Sequence, residues 1–531
     1  MQKKCSSLYL LLALVVLGAL PALAAGTPCE SLSALKLPDT AITSSQIVAA
    51  GSFSLNFGGN PAMFKNLPAF CRVQAEIRPS KDSDIKVEVW MPVSGWNGKY
   101  QGAGNGGFAG SIEYSNLATS VRNGYAAAST DTGHSGAPTA GSWALGHPEK
   151  ITDFGYRAIH EMTVRARALI LAFYGTGPRH SYFAGCSNGG RQALMEAQRY
   201  PEDYDGIIAG APAWNFTHLL TDAVWNAQAT VSDPNSYIPA SKVPAIAAAV
   251  REACDAQDGV KDGILSDPRV CKFDPATIQC RSEDTNACLT AAQVTALKKI
   301  YAGAHNSKGQ QISPGFSPGG EEGPGGWMTW TTGQTPGSAL LFAFGNGFFA
   351  NMVFDDPKWD FKAFNFDTGV KLTDEKQAHN LNATNPDLKA FRSRGGKLII
   401  WHGWSDPAIP PTGAIEYYDS VVSAMGAGAA ASSVRLFMAP GMQHCIGGPG
   451  PDLFGQYSYF PADPRSNMRL ALEQWVEKGT APDKIVAAKY VNQLDPTAGV
   501  KMTRPLCAYP KSAKYKGSGD VNDAGNWECG E

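Results

Sequence analysis

Ser187, Asp406 and His444 have the residue types and the settings that nucleophilic catalysis needs. A serine hydroxyl attacks a carbonyl only when a base takes its proton, and the base needs a carboxylate to fix its tautomer. Ser187 stands in Gly185-Cys186-Ser187-Asn188-Gly189, a Gly-x-Ser-x-Gly motif. Residues 181–184 before it suit a buried strand, and 192–200 after it suit a helix. Strand, sharp turn and helix together make a nucleophile elbow, which pushes the serine out of the top of a sheet. The flanking glycines let neighbouring backbone approach without a Cβ clash. The helix N-terminus then lies beneath the developing negative charge. The bare motif is weak, since roughly half an occurrence is expected by chance in a chain this rich in Gly and Ser. A second match exists, Gly315-Phe316-Ser317-Pro318-Gly319. An elbow uses the N–H of the residue after the serine as an oxyanion donor. Pro318 has no N–H and Asn188 does, so Ser317 reads as the chance match.

The acid and base follow in chain order. Residues 397–401 form an apolar strand that runs into His402-Gly403-Trp404-Ser405-Asp406, and a strand at 434–439 precedes the loop with His444. Serine, acid, histidine is the order of α/β-hydrolases. His402 is the rival base, but its place at a strand end before Gly403 suits a structural hydrogen bond. The glycine-rich run 102–108 could cradle phosphate, yet no P-loop Lys-Ser/Thr follows it. In an esterase frame, Gly106 or Gly107 would give a second oxyanion N–H beside that of Asn188; a plain turn is the other reading. Asp131 and His134, after an apolar run at 125–129, read as loop-holding hydrogen bonders. Cys186 precedes Ser187, and Cys445 follows His444. Bonded cysteines have Cα atoms about 5.5 Å apart, so a bridge between these two would hold nucleophile and base side by side.

The elements that must position these residues are those of an α/β protein. Val73, Ala75 and Ile77 alternate with polar neighbours, as do Ile85, Val87, Val89 and Met91, which predicts a hairpin around 79–84. An amphipathic helix is expected over 153–174, with Ile159, Met162, Ala166 and Ile170 on one stripe. Another buried strand is expected at 205–211. Strand, helix, strand, helix, strand argues for a mostly parallel sheet. The rhythm breaks near Trp214 and resumes at 397, ending with a helix at 464–478. The expected architecture is an α/β-hydrolase fold with a large inserted lid domain. Its hydrolase parts are 25–214 and 375–531, and its lid is 215–374.

The chain has 531 residues and a net charge of −2 without long runs of one sign, which gives no footprint for nucleic acid or an anionic membrane. Lys3 and Lys4, an apolar run at 8–20 and Ala22-Leu23-Ala24 read as a secretory signal over 1–24. The run is short for a membrane anchor, so no anchor is expected after cleavage. Of 11 cysteines, Cys5 lies in the signal, and an even remainder in an exported chain reads as a disulfide framework. A secreted or periplasmic location is expected.

Cys186-Ser187, Asp406 and His444-Cys445 together resemble the signature of the tannase and feruloyl esterase family of α/β-hydrolases, which includes mono(2-hydroxyethyl) terephthalate hydrolase. The blocks 104–107, 129–134 and 504–507 are similar to that family's as well, and the likeness covers nearly the whole mature chain. The resemblance implies a Ser187–His444–Asp406 triad, an acyl-enzyme, and a small aromatic ester of feruloyl or galloyl type as substrate. With neighbourhood in the chain, it also implies bridges Cys29–Cys71, Cys254–Cys271, Cys280–Cys288 and Cys507–Cys529, besides Cys186–Cys445; sequence alone does not choose among pairings. Asp255, Asp258 and Asp262 crowd one short segment. By spacing alone they are a Ca²⁺ cage or a solvated acidic turn. The resemblance implies a structural Ca²⁺ in the lid, held by these three carboxylates and the carbonyls of Val260 and Ile264, and no organic cofactor. The lid is dense in aromatics between Trp327 and Phe366, most of them expected in its core and a few lining a slot for a flat acyl group. Arg and Lys are sparse there, which weakens the case for a free carboxylate as the recognised group. A serine peptidase on the same fold and a non-catalytic binding module are the alternatives.

Overall fold

The computed structural model describes residues 26–55, 63–493 and 495–531; the expected signal lies outside them. Nine strands form one sheet: β1 (Thr40–Val48), β2 (Phe70–Ile77), β3 (Ile85–Pro92), β4 (Lys99–Ala103), β5 (Ala126–Thr130), β6 (His180–Cys186), β7 (Gly206–Gly210), β8 (Lys397–Gly403) and β9 (Val434–Ala439), in the spatial order β1-β2-β3-β5-β4-β6-β7-β8-β9. The expected hairpin is present, with Val73 opposite Val89 and Ala75 opposite Val87. From β5 across to β9 every neighbouring pair is parallel. Parallel strands need crossovers, and those helices cover both faces. The chain therefore has an α/β fold.

The crossover helices are α1 (Tyr114–Arg122), α2 (Ala158–Tyr174) and α3 (Asn188–Arg199). Met162, Ala166 and Ile170 of α2 pack with Val87, Val89 and Leu398 in one core. A wide π turn, Asp153–Arg157, leads into α2, so its regular part starts five residues later than its stripe suggests. Gly175, at φ 73°, ends it in the left-handed conformation that glycine tolerates.

Among the described residues, no strand of the sheet lies between β7 and β8, although the two are hydrogen-bonded neighbours. The intervening chain carries α4 (Phe216–Val231), α5 (Val243–Cys254), α6 (Ala291–Ala302) and α7 (Leu340–Phe348). Thr290 and Gln293 close a capping box at the start of α6. Ile246, Val250, Leu297, Ile300 and Trp327 form a core of their own. A second core ties Phe216, Phe348 and Phe349 to Phe108 and Phe154. Beyond β8 come α8 (Thr412–Met425) and α9 (Met468–Lys478). The Asn467 side chain accepts the N–H groups of Arg469 and Leu470 at 3.0 and 3.2 Å, so α9 starts at Met468 and not at Pro464. Trp475 of α9 packs with Trp401 and Phe437 on the other face of the sheet.

Five disulfides are present: Cys29–Cys71, Cys186–Cys445, Cys254–Cys271, Cys280–Cys288 and Cys507–Cys529. No described helix is long and apolar enough to cross a membrane.

Candidate active site

Ser187 sits at the turn between β6 and α3 with φ 66° and ψ −124°, a conformation a side chain rarely adopts. The surroundings over-determine it. Its N–H donates to Gly210 O at 2.9 Å, and its own carbonyl accepts from Arg191 and Ala213 at 3.1 and 3.2 Å. A Cβ on Gly190 would lie 2.2 Å from Gly210 O, and one on Gly185 2.6 Å from the Gly189 backbone. Both glycines are therefore required by close approach. Arg191 locks the turn from below. It is fully buried and donates to Phe154 O, Gly155 O and Leu381 O, and to Asn188 Oδ1 at 2.9 Å. Burial without a carboxylate partner pulls its guanidinium down to about 9. No signal in the motif marked this role.

Asp406 follows β8, and His444 lies in the loop after β9. His444 Nδ1 donates to Asp406 Oδ2 at 2.8 Å, which leaves Nε2 for the nucleophile. Asp406 Oδ1 accepts the N–H groups of Ala408 and Ile409 at 2.8 and 3.0 Å. Burial alone would raise this carboxyl, but His444 and His402 outweigh it and hold Asp406 well below the usual range. His402 is completely buried, and its Nε2 lies 3.1 Å from both Asp406 Oδ2 and Ile409 O. Two acceptors on one nitrogen place the ring proton there, so His402 is a second brace on Asp406, and it lines neither cavity that reaches Ser187. The Cys186–Cys445 bridge, with a Cα–Cα distance of 6.1 Å, ties the nucleophile turn to the His444 loop. Ser317 lines neither cavity that reaches Ser187.

Those two cavities meet at Ser187, His444, Gly107 and Trp330. The larger, about 270 Å³, mixes apolar walls such as Ile208, Trp330 and Trp401 with the polar residues Glu113, Asn116, Gln456, Tyr457 and Arg469. The smaller, about 40 Å³, is apolar and is lined by Phe108, Phe216, Leu219, Leu341, Phe344 and Ile409 among others. Of the aromatics noted in the 327–366 segment, Trp330 and Phe344 reach this site, whereas Trp327, Phe348, Phe349 and Phe364 are core. Trp330 meets the His444 ring edge-on at 4.9 Å.

The N–H of Asn188, in the first turn of α3, is one of those a helix leaves unpaired. Gly107 has φ +56°, and a Cβ there would lie 2.6 Å from Pro138 O. Its N–H has no partner among the described residues. The Gly106 N–H faces the Glu113 carboxylate, where it partly offsets the burial that raises that group to about 7. Gly106 and Gly107 both line the cavity that holds Ser187. Asp131 and His134 brace this loop. Asp131 Oδ1 accepts from Lys86 and Gly133 at 2.9 Å each. His134 Nε2 donates to Phe108 O at 2.7 Å, and its ring stacks on Trp143. Burial lowers His134 to about 4, and with Nε2 bonded to Phe108 O it lines neither cavity that reaches Ser187.

The acidic segment is built as a series of turns. Asp255, Asp258 and Asp262 accept the N–H groups of Gly263, Val260 and Ile264 at 2.9, 3.0 and 3.0 Å. Asp262 also pairs with Arg504 at 2.7 Å. Asp258 Oδ2 is buried without a partner among the described residues. Burial raises the Asp255 carboxyl, and the charges of Asp262 and Asp258 add to that. An oxygen-only donor set with an orphaned buried oxygen fits a hard cation. Among the described residues, the one group of three whose ligand atoms lie within 4.8 Å of one another is Cys280, Asp284 and Cys288. Its two sulfurs are bonded to each other, and the three aspartates stand more open than a closed shell.

The family described as tannase and feruloyl esterase matches residues 71–530. An uncharacterised esterase of Xanthomonas campestris pv. campestris is 44% identical over 98% of this chain and 94% of its own length. A "Probable feruloyl esterase B-2" of Neosartorya fischeri is 34% identical over 93% of this chain and 90% of its own. The crystal structure of feruloyl esterase B from Aspergillus oryzae superposes with a TM-score of 0.86 at 31% identity, covering 94% of this chain and 99% of that one. Tannin acyl hydrolase from Aspergillus niger shares the fold, with a TM-score of 0.73 at 24% identity over 96% and 94% of the two chains. The chain belongs to the tannase and feruloyl esterase family of carboxylic ester hydrolases.

Proposed function

We propose that the protein is a secreted serine esterase that cleaves small aromatic carboxylic esters through an acyl-enzyme. The observation that carries the mechanism is the Asp406–His444 hydrogen bond of 2.8 Å, on a histidine that shares a cavity with the elbow serine. Ser187 Oγ attacks the ester carbonyl while its proton passes to His444 Nε2. The N–H groups of Asn188 and Gly107 hold the resulting oxyanion. His444 gives the proton to the departing alkoxide, and water repeats the cycle on the acyl-enzyme. Asp406 keeps the proton of His444 on Nδ1 and stabilises the imidazolium. The apolar lining of Phe108, Phe216, Phe344 and Trp330 supports an apolar group beside the carbonyl, and the names of the relatives support feruloyl or galloyl esters. A fluorophosphonate probe is expected to label the protein and not its Ser187→Ala variant, and methyl ferulate or methyl gallate to be turned over. An unlabelled, inactive wild type would end this reading. The five disulfides support export from the cytoplasm. Fractionation of the native host, with the mature N-terminus read near residue 25, tests it.

The proposal extends to a lid, residues 215–374, which brings Trp330, Leu341 and Phe344 over Ser187, and to a structural Ca²⁺ in it. Asp255, Asp258 and Asp262 would hold the ion with the carbonyls of Val260 and Ile264; its role is to draw the turns together, and no step of the reaction passes through it. Binding to the folded form alone stabilises by mass action. Chelation is therefore expected to lower Tm by several degrees at unchanged kcat per titrated site. Metal analysis without Ca²⁺, together with a Tm indifferent to chelator, would remove the ion from the account.

A further inference from the structure

His444 stands between two anchors. Cys445, after it, is bonded to Cys186 at the nucleophile turn. Gln443, before it, is 1% exposed and reaches the chain inserted between β7 and β8. Its Nε2 donates to Glu322 O at 2.6 Å and to Gly320 O at 3.3 Å. A primary amide has two N–H bonds, and both are used here. A Cβ on Gly325 would lie 2.9 Å from Gln443 Oε1, so the insertion leaves room for this amide and little more. The main-chain N–H of Gln443 stays within its own loop and donates to Gly447 O at 3.1 Å. Among the described residues, the two amide bonds are the hydrogen bonds that cross from the His444 loop to the insertion.

The turn that offers these carbonyls is itself fixed. The buried Glu321 carboxyl accepts the Gly319 N–H at 2.9 and 3.0 Å and the Tyr301 hydroxyl at 2.7 Å, and the Glu321 carbonyl accepts the Trp327 N–H at 2.9 Å. The same turn abuts the acid, since a Cβ on Gly320 would lie 2.3 Å from the carbonyl oxygen of Ser405, just before Asp406. Thr331 Oγ1 donates at 3.1 Å to the carbonyl of Pro407, just after it. The insertion thus touches the chain on either side of Asp406 and just ahead of His444. A cavity of about 390 Å³ is lined from the loop by Gln443, Gly448 and Pro449 and from the insertion by Glu322 and Pro324. Hydrogen bonds rather than packed side chains therefore span this side of the loop. Gln443 lines neither cavity that reaches Ser187. We infer that Gln443 is a positioning residue that hangs the base on the insertion. Docking of the 319–322 turn sets where His444 stands, so the inserted chain serves the chemistry as well as covering the site. This rests on the esterase reading of the same site. A neutral amide suits the task. A Lys or Arg donor there would place a cation beside the His444–Asp406 pair, where it disfavours the imidazolium.

Gln443→Met keeps the volume of the side chain and removes both donors. With active sites counted by titration, kcat is expected to fall between about 10- and 100-fold at unchanged KM, the scale on which displacements of up to about 1 Å act. The factor is expected to be the same for methyl ferulate and for p-nitrophenyl acetate, whose acyl group is too small to lean on the insertion. The rate of labelling by a fluorophosphonate falls with it. Gln443→Asn, a methylene shorter, leaves room for a water to satisfy the two carbonyls, and it repeats the test where the Met variant does not fold. Unchanged kcat per titrated site overturns the inference even if Tm falls, because Gln443 would then serve stability alone. A raised KM at unchanged kcat also overturns it, because Gln443 would then serve binding. A wild type that is not labelled and turns over neither ester ends the esterase reading and the inference with it. A wild type labelled no faster than Gln443→Met ends the inference alone.

Discussion

Asp406 serves two imidazoles and two backbone N–H groups at once. That is what keeps a completely buried carboxyl ionised. Asp406→Asn keeps the shape but presents an amide to His444, and its Nδ1 then becomes the acceptor, which puts the ring proton on the wrong nitrogen. The expected loss in kcat is about 10⁴-fold, as for other serine triads. His402→Gln retains an N–H donor near Asp406 and is expected to cost far less than His444→Gln. Active-site titration followed by kcat measures both, and the reverse ranking would exchange the two histidines. The meeting of Ser187, Asp406 and His444 was legible because each follows a strand and the three occur in one order. Glu113, Arg469 and Arg191 were not. Glu113 precedes a helix, Arg469 and Arg191 lie in one, each local pattern is ordinary, and only tertiary packing shows where the charge ends up.

At the scale of elements, β6–α3 and β9 with its following loop are the two arms of the site. The first is rigid, because Ser187 is clamped by Gly210, Arg191 and Ala213. The second hangs on Cys445, itself at φ 62°, and on Gln443, which donates to Gly320 O and Glu322 O. The Cys186–Cys445 bridge spans 259 residues, for which the disputed chain-entropy model would assign about 5–6 kcal/mol. Its geometric effect matters more, because a shift of about 1 Å can cost ~10²-fold. Cys186→Ala with Cys445→Ala is expected to lower kcat per titrated site at a temperature where circular dichroism shows the variant fully folded. Unchanged kcat there would make the bridge structural only. The strands β3 and β5 to β9 were read to within two residues because alternation and apolar runs are local signals, whereas β1 carries no such pattern and was not foreseen. Helix starts were less legible. The start of α9 depends on which of several polar residues turns its side chain back as the cap, and Asn467 does so.

Across the whole molecule, several carboxyls are buried without a cation. Asp222 accepts from Asn226 and Ala304 at 2.9 and 3.0 Å and is pushed by burial to about 8. Asp131 and Glu113 are each raised to about 7, also by burial. A carboxyl raised in the folded state holds its proton there after the unfolded chain has lost it, so stability falls as pH rises towards the folded pKa. His218, raised despite burial by its contact with Asp374, acts in the same direction. His134, lowered to about 4, opposes this only below the unfolded histidine value of about 6.5. Tm is therefore expected to fall between about pH 6.5 and 8.5, and Asp222→Asn to flatten that slope. A Tm rising through this range would contradict the burial of these groups.

The bridges also bear on how the protein is made. Four of them join cysteines that are consecutive among the described residues, and Cys186–Cys445 alone passes over others, the Cys254–Cys271 and Cys280–Cys288 pairs. An oxidant acting on thiols in the order in which they emerge from the ribosome would join Cys29 to Cys71 correctly and then offer Cys186 its next neighbour, Cys254. The linkage that joins the Ser187 turn to the His444 loop is thus the one that vectorial oxidation would get wrong. Yield in a foreign host is therefore expected to rise with that host's disulfide isomerase more than with its oxidant.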